Sequence, residues 1–500
     1  MIKRNLIANY IGQGWRALMS LAFIPIYIKC LGMEAYGLIA IFSILLSAMA
    51  LLDLGMKPAL SREMSHYSGG AYNHQLIWNL LRSIEIISSI IVVATAIVIW
   101  VLSGWLATTW VNAETLPTSV VEQSFTLMGI LASLQFFESI YSSSLGGLQR
   151  QVLQNGILCV MSTIRGFGAI GVLFWISPTP KAFFIWQAIC SFTCLLACAI
   201  ALYRSLPAPP DPPRFSKSAL LSIWKFASGI FFIIMLALLL TQLDKALLSK
   251  ILPLESFGYY ALAGVVTGLL TALAGPITST YYLRFNQLIA KNETNAISSA
   301  FHKSAQLVTV IVGSTTAILF FFPEQLLILW SNDMDLAGKT APIMSILALG
   351  TCLNCLTWVP YQIQLAYGWT SLTIIMSTVA VVILVPAILI LVPIYGPIAA
   401  AWIWVTLNAG FFLIGAQFMF QRILKKEKWK WYIDDVTVPL VTTFTVTFIV
   451  SHISPTHFSK WLWLTIVIAW VMAIGTAALA TPLGRTKILN YLRDAKKIIS

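Results

Sequence analysis

Charge is what this sequence has least of. Of 500 residues only 10% are Asp, Glu, Lys or Arg, 58% are hydrophobic, and the mean hydropathy is +0.84. A soluble protein carries about 25% charged residues. So few charges cannot cover a chain of this length with a water-compatible surface, and the class is a multi-spanning membrane protein. No long polar run separates the apolar blocks, which leaves no room for a soluble catalytic domain. A small-residue cleavage site is also missing after the basic, apolar start MIKRNLIANYIGQGWR, so this stretch reads as a retained first span. No charged ring or repeated filter motif marks a channel. The seven cysteines are sparse and sit mostly in apolar stretches. Cys190, Cys194 and Cys198 share one helical face and Cys352 and Cys355 lie three apart. The first group has no neighbouring His, Asp or Glu, which favours packing thiols over metal ligands. Neither a metal nor a cofactor is expected.

What is present is a series of apolar stretches, each near the roughly 20 residues that cross a bilayer. They fall at 6–28, 36–60, 78–104, 120–147, 152–176 and 181–203, then 220–249, 256–284, 300–322, 338–366, 370–392 and 396–421. A further pair follows at 435–451 and 460–480, the former short and rich in Thr and Val. Between the two sets of six lies YRSLPAPPDPPRFSKS (203–218), with five prolines from Pro207 to Pro213. Proline removes a backbone donor and fixes φ, so no helix continues through it. The expected organisation is an N-terminal six-helix lobe (1–203), a linker (204–219) and a C-terminal six-helix lobe (220–424). A helix pair with a tail (425–500) completes the chain. The linker is expected to hold the lobes together while allowing relative motion.

The charge excess of +13 orients these spans. With the N-terminus inside, 22 of the 31 Lys and Arg residues fall on the cytoplasmic side and six opposite: Lys29, Lys181, Lys245, Lys250, Lys339 and Lys460. The remaining three, Arg16, Arg165 and Lys225, lie within spans. This positive-inside bias explains the basic excess better than nucleic-acid binding, and it places both termini and the linker in the cytoplasm. Trp105, Trp110, Trp175, Trp224, Trp429, Trp431 and Trp461 lie near span ends as interfacial anchors. The closing RTKILNYLRDAKKIIS reads as a short interfacial helix.

A weak internal repeat runs through the chain. Glu34-Ala35-Tyr36-Gly37-Leu38 opens the second span, and Glu255-Ser256-Phe257-Gly258-Tyr259 opens the eighth, 221 residues later. Leu54-Gly55-Met56 and Ala274-Gly275-Pro276 make matching interruptions further along, with Arg62 and Arg284 beyond them. Six spans per half bring both halves in from the same side, so the repeat is parallel, an arrangement suited to alternating access.

The intramembrane charges are the candidate site. Asp, Lys or Arg at a helix centre costs about 2.5–3.5 kcal/mol on insertion scales, so such groups face a cavity or one another. Arg16 and Arg165 lie deep in spans one and five, and Glu138 is placed to neutralise either. Lys245 snorkels to the interface with Asp244 beside it, or joins the cavity. Arg82 and Glu85, three apart, read as a structural pair. Asp53 caps or pairs at the inner end of span two. Arginine in a cavity suits an anionic ligand because it binds phosphate bidentately. The electrostatics permit a carrier of phosphorylated lipids, an anion exporter or a proton-coupled drug exporter.

Four stretches carry a family resemblance: YIKCLGMEAYGLIAIF (27–42), LLDLGMKPALSRE (51–63), LGGLQRQVLQN (145–155) and QLDKALLSKILPLESFGYYALAG (242–264). They resemble the polysaccharide-transport or oligosaccharide-flippase family of the multidrug/oligosaccharidyl-lipid/polysaccharide exporter superfamily. The fold this implies is an all-α polytopic membrane protein of about fourteen transmembrane helices, two parallel six-helix lobes plus a C-terminal pair. The function it implies is passage of an undecaprenyl-diphosphate-linked oligosaccharide, such as an O-antigen repeat unit for lipopolysaccharide, from the cytoplasmic to the periplasmic leaflet of the bacterial inner membrane. No enzymatic activity is implied. Arg16, Arg165 and Lys245 are expected to bind substrate, with Asp53, Glu138 and Asp244 in coupling or gating, driven by protons or sodium. Membrane lipids, a polysaccharide polymerase and a chain-length regulator are the implied partners, and nucleic acid is not. The fuller basic signature of the lipid II branch is missing. The competing readings are a cation-coupled multidrug exporter of the same fold and a membrane polysaccharide polymerase or ligase.

Overall fold

The structure, a computed structural model, describes residues 2–68, 74–209, 211–453 and 462–486. Lys460 and nearly all of the expected C-terminal interfacial helix lie outside the described residues. The first span is two helices, α1 (Ile2–Ala22) and α2 (Ile24–Leu31). They part just before Pro25, which lacks an N–H and crowds the carbonyl four residues back. The second expected span, 36–60, is likewise α3 (Met33–Leu52) and α4 (Met56–Ser68). Leu54 (φ 51°) and Gly55 (φ 76°) turn the chain left-handed between them. A β-carbon on Gly55 would stand 2.2 Å from the Ala227 carbonyl oxygen, so the corner has no room for one.

There follow α5 (His74–Trp105), extended by a π-helical turn at 106–110, α6 (Thr118–Gly147), α7 (Gln151–Trp175) and α8 (Pro180–Ser205). After the proline-rich segment come α9 (Lys217–Ile251), α10 (Leu254–Ala290), α11 (Thr294–Phe321), α12 (Pro323–Ser331) and α13 (Met334–Ala366). Next are α14 (Ser371–Tyr395), α15 (Pro397–Gly410), a π-helical turn at 411–415 and α16 (Ala416–Arg422). The chain closes with α17 (Lys428–Lys430), a π segment at 431–437, α18 (Val438–Ile453) and α19 (Leu462–Ala480). Among the described residues thirteen helical stretches are long and apolar enough to cross a membrane. The seventh expected span is α9, a helix of 35 residues.

Two sequence expectations are corrected. The Ala274–Pro276 interruption does not occur, because α10 runs straight through Pro276. A proline costs one hydrogen bond, whereas a corner needs a left-handed residue such as Gly55. The thirteenth span is also longer than 435–451. Helical structure runs from Lys428 to Ile453, with Asp435 inside it and fully buried.

The chain forms two compact units, Met1–Gly258 and Tyr259–Ser500. In the first, Met49, Leu60, Met64, Ile84, Phe136 and Ile140 build a core that also takes in Cys190, Cys194 and Cys198. No disulfide joins the seven cysteines. The proline-rich segment is laid along α5 rather than standing free. Gln75, Asn79 and Ser83, one turn apart, accept from the backbone N–H groups of Asp211, Arg214 and Ser216 (3.0, 3.0 and 2.8 Å). Trp78 donates to the Pro207 carbonyl (2.9 Å) and stacks on Tyr203.

The two repeat motifs touch. A β-carbon on Gly37 would meet the Leu254 carbonyl oxygen at 2.6 Å, and one on Gly258 would meet that of Met33 at 2.9 Å. Met33 and Leu254 are equivalent positions 221 residues apart, as are Gly37 and Gly258. The two contacts are reciprocal: each glycine meets the residue just before the other motif. Beside it, the Glu34 carboxylate accepts from the backbone N–H groups of Glu114 (2.7 Å), Thr115 (3.0 Å) and Leu116 (2.8 Å) and from the Thr115 hydroxyl (2.6 Å). The same loop meets the α9–α10 junction, where Leu254 N–H donates to the Asn112 carbonyl (2.9 Å) and Asn112 Nδ2 to that of Lys250 (3.0 Å).

Candidate functional site

The polar centre of the first unit is assembled by α1, α6, α7 and α8. α1 and α7 pack closely because α1 offers a glycine: a β-carbon on Gly12 would fall 2.4 Å from Asn155 Oδ1. Small residues at a crossing are how membrane helices approach, since lipid supplies no hydrophobic drive for them to associate. The approach is fixed by Asn155 Nδ2 donating to Asn9 Oδ1 (2.6 Å) and by Trp15 Nε1 donating to the Thr163 hydroxyl (2.9 Å). Arg16, one turn after Gly12, donates from Nε to the Gly12 carbonyl (3.1 Å).

Arg165 projects from α7 toward α6 and α8. Its Nη2 lies 3.5 Å from Glu138 Oε2 and donates to the Ser191 hydroxyl at 3.0 Å. Gln135 Nε2 reaches the same hydroxyl at 3.4 Å, and Trp186 Nε1 holds the Arg165 backbone carbonyl at 3.2 Å. Arg16 is within electrostatic range of Glu138. The Arg165–Glu138 separation is that of a loose ion pair rather than a good hydrogen bond. Consistent with this, Arg165 Nε and Glu138 Oε2 are buried without a hydrogen-bond partner among the described residues. The cluster thus holds unspent donor and acceptor capacity inside an apolar bundle, which is costly unless something uses it.

The other expected site residues lie elsewhere. Asp53 accepts from the Lys57 N–H at 3.2 Å with both oxygens and so caps the start of α4. The Lys57 Nζ sits 4.2 Å over the Phe136 ring. Asp244 is buried and Lys245 half-buried on α9, which packs on α3, α4 and α5. The Arg82–Glu85 pair forms at 3.2 Å, and Glu85 also accepts from the hydroxyls of Tyr141 (3.0 Å) and Tyr203.

Sequence reasoning missed a second polar cluster, in the other unit. On α11, Ser298, His302 and Gln306 stand one turn apart. His302 Nε2 faces Glu427 (2.9 Å), its Nδ1 faces Asp435, Gln306 donates to Asp435 (2.7 Å) and Ser298 to Glu427 (2.7 Å). The Gln306 oxygen accepts from Leu483 N–H (3.1 Å), so this one row fastens both ends of the C-terminal helix pair. A His and a Gln at i, i+4 in an apolar span were the available signal.

These features define a polytopic α-helical membrane protein. Among solved structures, the inward-closed lipid II flippase MurJ is similar with a TM-score of 0.71 at 13% identity, covering 95% of this chain and 98% of that one. An inward-facing multidrug resistance MATE family transporter of the MOP superfamily gives 0.65 at 13% identity, covering 83% and 96%. A MOP superfamily transporter from Pyrococcus furiosus, described as having a binding pocket of reverse polarity, gives 0.55 at 14%, covering 85% and 96%. No curated protein sequence matches the chain. The model of the polysaccharide biosynthesis protein family matches residues 2–288, and the chain belongs to that family.

Proposed function

We propose that the protein is a flippase that moves an undecaprenyl-diphosphate-linked oligosaccharide, such as an O-antigen repeat unit, from the cytoplasmic to the periplasmic leaflet of a bacterial inner membrane. The observation that carries this reading is the half-buried Arg165 side chain, its Nε buried and unspent, loosely paired to Glu138 and accompanied by Arg16. A diphosphate is the kind of ligand that a forked cation in an apolar bundle is suited to hold. Family membership supports the polysaccharide context. In this reading Arg16, Arg165 and Lys245 engage the diphosphate while the polyprenyl tail stays in lipid. Glu138 competes with the ligand for Arg165, so release of substrate restores the internal pair. Asp244 and Asp53 serve in gating, and a proton or sodium ion drives the cycle. The protein is a carrier rather than an enzyme, has both termini in the cytoplasm, and works beside a polymerase and a chain-length regulator.

The test is leaflet-specific accumulation of lipid-linked oligosaccharide after deletion and complementation. Deletion should trap the glycolipid in the inner leaflet, wild type should release it, and the Arg16→Ala/Arg165→Ala double variant should not. Normal release by the double variant sinks the reading. A cation-coupled drug exporter is the second reading, favoured by the likeness to the MATE transporter and by the deep Glu138 carboxylate. Drug efflux without any effect on the glycolipid selects it.

A further inference from the structure

The second unit carries an apolar trench that the polar centre of the first does not use. α14, α15 and the π-helical turn at 411–415 enclose about 530 Å³. Met376, Ile383 and Leu391 line one wall and Trp402, Leu407 and Ile414 the other, and no lining side chain is charged. Small residues make the hollow: Ala380 and Ala387 on α14 face it, as does Gly410 at the end of α15. Along α14 the lining runs from Met376 to Tyr395, about 28 Å at the helical rise per residue. The hydrocarbon core of a bilayer is about 30 Å thick.

The two ends of the trench differ. From Thr340 to Gln421 the sequence contains no charged residue at all. The charge resumes at Arg422, the last residue of α16, whose guanidinium stacks 4.6 Å from the ring centre of Trp369, two residues before α14. This stack therefore sits beyond the Met376 end of the trench, on the helices that form it. Stacking occupies the flat face of the guanidinium and leaves its N–H edge to meet a phosphate. Lys425 and Lys426 follow, both exposed, and Lys428 lies 4.5 Å over the Trp429 ring. Basic residues immediately beyond a membrane helix attract anionic lipid headgroups.

We propose that this trench is a binding site for one chain of an anionic glycerophospholipid whose phosphate is held by Arg422. The trench matches a hydrocarbon chain in length and polarity, and the forked cation at one end matches the phosphate. Its uncharged lining holds no cation for a diphosphate crossing the bilayer, so the occupant is a resident lipid rather than cargo in transit. The site stands apart from the transport reading, because lipid retention is measured without transport.

The experiment is native mass spectrometry of the full-length protein, stripped of lipid in detergent and offered dioleoylphosphatidylglycerol or dioleoylphosphatidylcholine at equal concentration. Wild type should retain the glycerol lipid about fivefold more strongly, the worth of one basic residue near a headgroup. Arg422→Gln should abolish that preference, and Arg422→Lys should keep part of it. Ile383→Trp, at a position 55% exposed where a larger ring is tolerated, should obstruct the trench and lower retention of both lipids. Ala387→Trp gives the same readout from inside the wall should the first variant be unstable. Equal retention of the two lipids by wild type, a preference that survives Arg422→Gln, or full retention by both tryptophan variants overturns the proposal.

Discussion

Replacing Glu34 by Gln tests the clasp at the first repeat motif. One carboxylate oxygen accepts from Glu114 and Thr115 N–H, and the other from Thr115 N–H (3.1 Å), its hydroxyl and Leu116 N–H. A carboxylate is all acceptor, so every one of these donors is satisfied. Glutamine has the same shape but turns one oxygen into an NH2 group, which leaves the Glu114 N–H or the Leu116 N–H without an acceptor, depending on how the amide is placed; the Thr115 N–H keeps the remaining oxygen. A hydrogen bond to a charged group contributes about 1.5–3 kcal/mol, so losing one costs about that much. That is roughly ten- to a hundredfold in the opening equilibrium of the loop. Hydrogen exchange read by mass spectrometry over residues 112–117 should therefore speed up by about one to two orders of magnitude. Peptides from α6 should stay protected, which separates local opening from global unfolding. Unchanged exchange at 114–116 in Glu34→Gln would refute the reasoning.

Three further outcomes are expected. Gly55→Ala combines a left-handed backbone with a β-carbon 2.2 Å from the Ala227 oxygen, so it should lower the melting temperature by several degrees. Gly275→Ala, in the similar Ala274-Gly275-Pro276 stretch but with open space around the new carbon, should be neutral or slightly stabilising. Arg165→Ala strands the Glu138 carboxylate and should destabilise by about 3 kcal/mol. Adding Glu138→Gln should restore the melting temperature without restoring release of lipid-linked oligosaccharide, and recovery of both would reduce Arg165 to a structural role. Burial pushes Glu427 upward, but the hydrogen bonds from Ser298 and His302 and the Lys430 charge outweigh it and hold its carboxyl below the usual range. Its contribution to docking the C-terminal pair is thus complete above the ordinary carboxylate range and lost as pH falls through the depressed value. Melting curves from neutral to acid pH should show a steeper loss for wild type than for Glu427→Gln, and parallel curves would contradict this.

Hydropathy alone carried the architecture, because a bilayer demands long apolar helices and composition records them directly. The Arg82–Glu85 pair was legible too, because it is local in sequence. Corners were harder. Gly55 and Gly275 look alike in a string of residues, but only Gly55 has a neighbouring helix pressed against it and a left-handed φ. Arg16, Glu138 and Arg165 could be named as costly charges from their depth in apolar spans, yet their association depends on which helices adjoin. The sequence does not state that α6 packs on α8 or α1 on α7.

The repeat shows the division most clearly. Sequence by itself showed that Glu34–Leu38 and Glu255–Tyr259 share a pattern of residue types, since such a pattern survives in a linear record. Only the tertiary structure decided that Gly37 lies on Leu254 and Gly258 on Met33, and that Glu34 ties down a loop some 80 residues away. Likewise His302 reads as an isolated polar residue until Glu427 and Asp435 are folded against both its nitrogens. Identity and spacing are encoded locally, whereas contacts between distant segments are set by the packing of whole helices, which no single stretch contains.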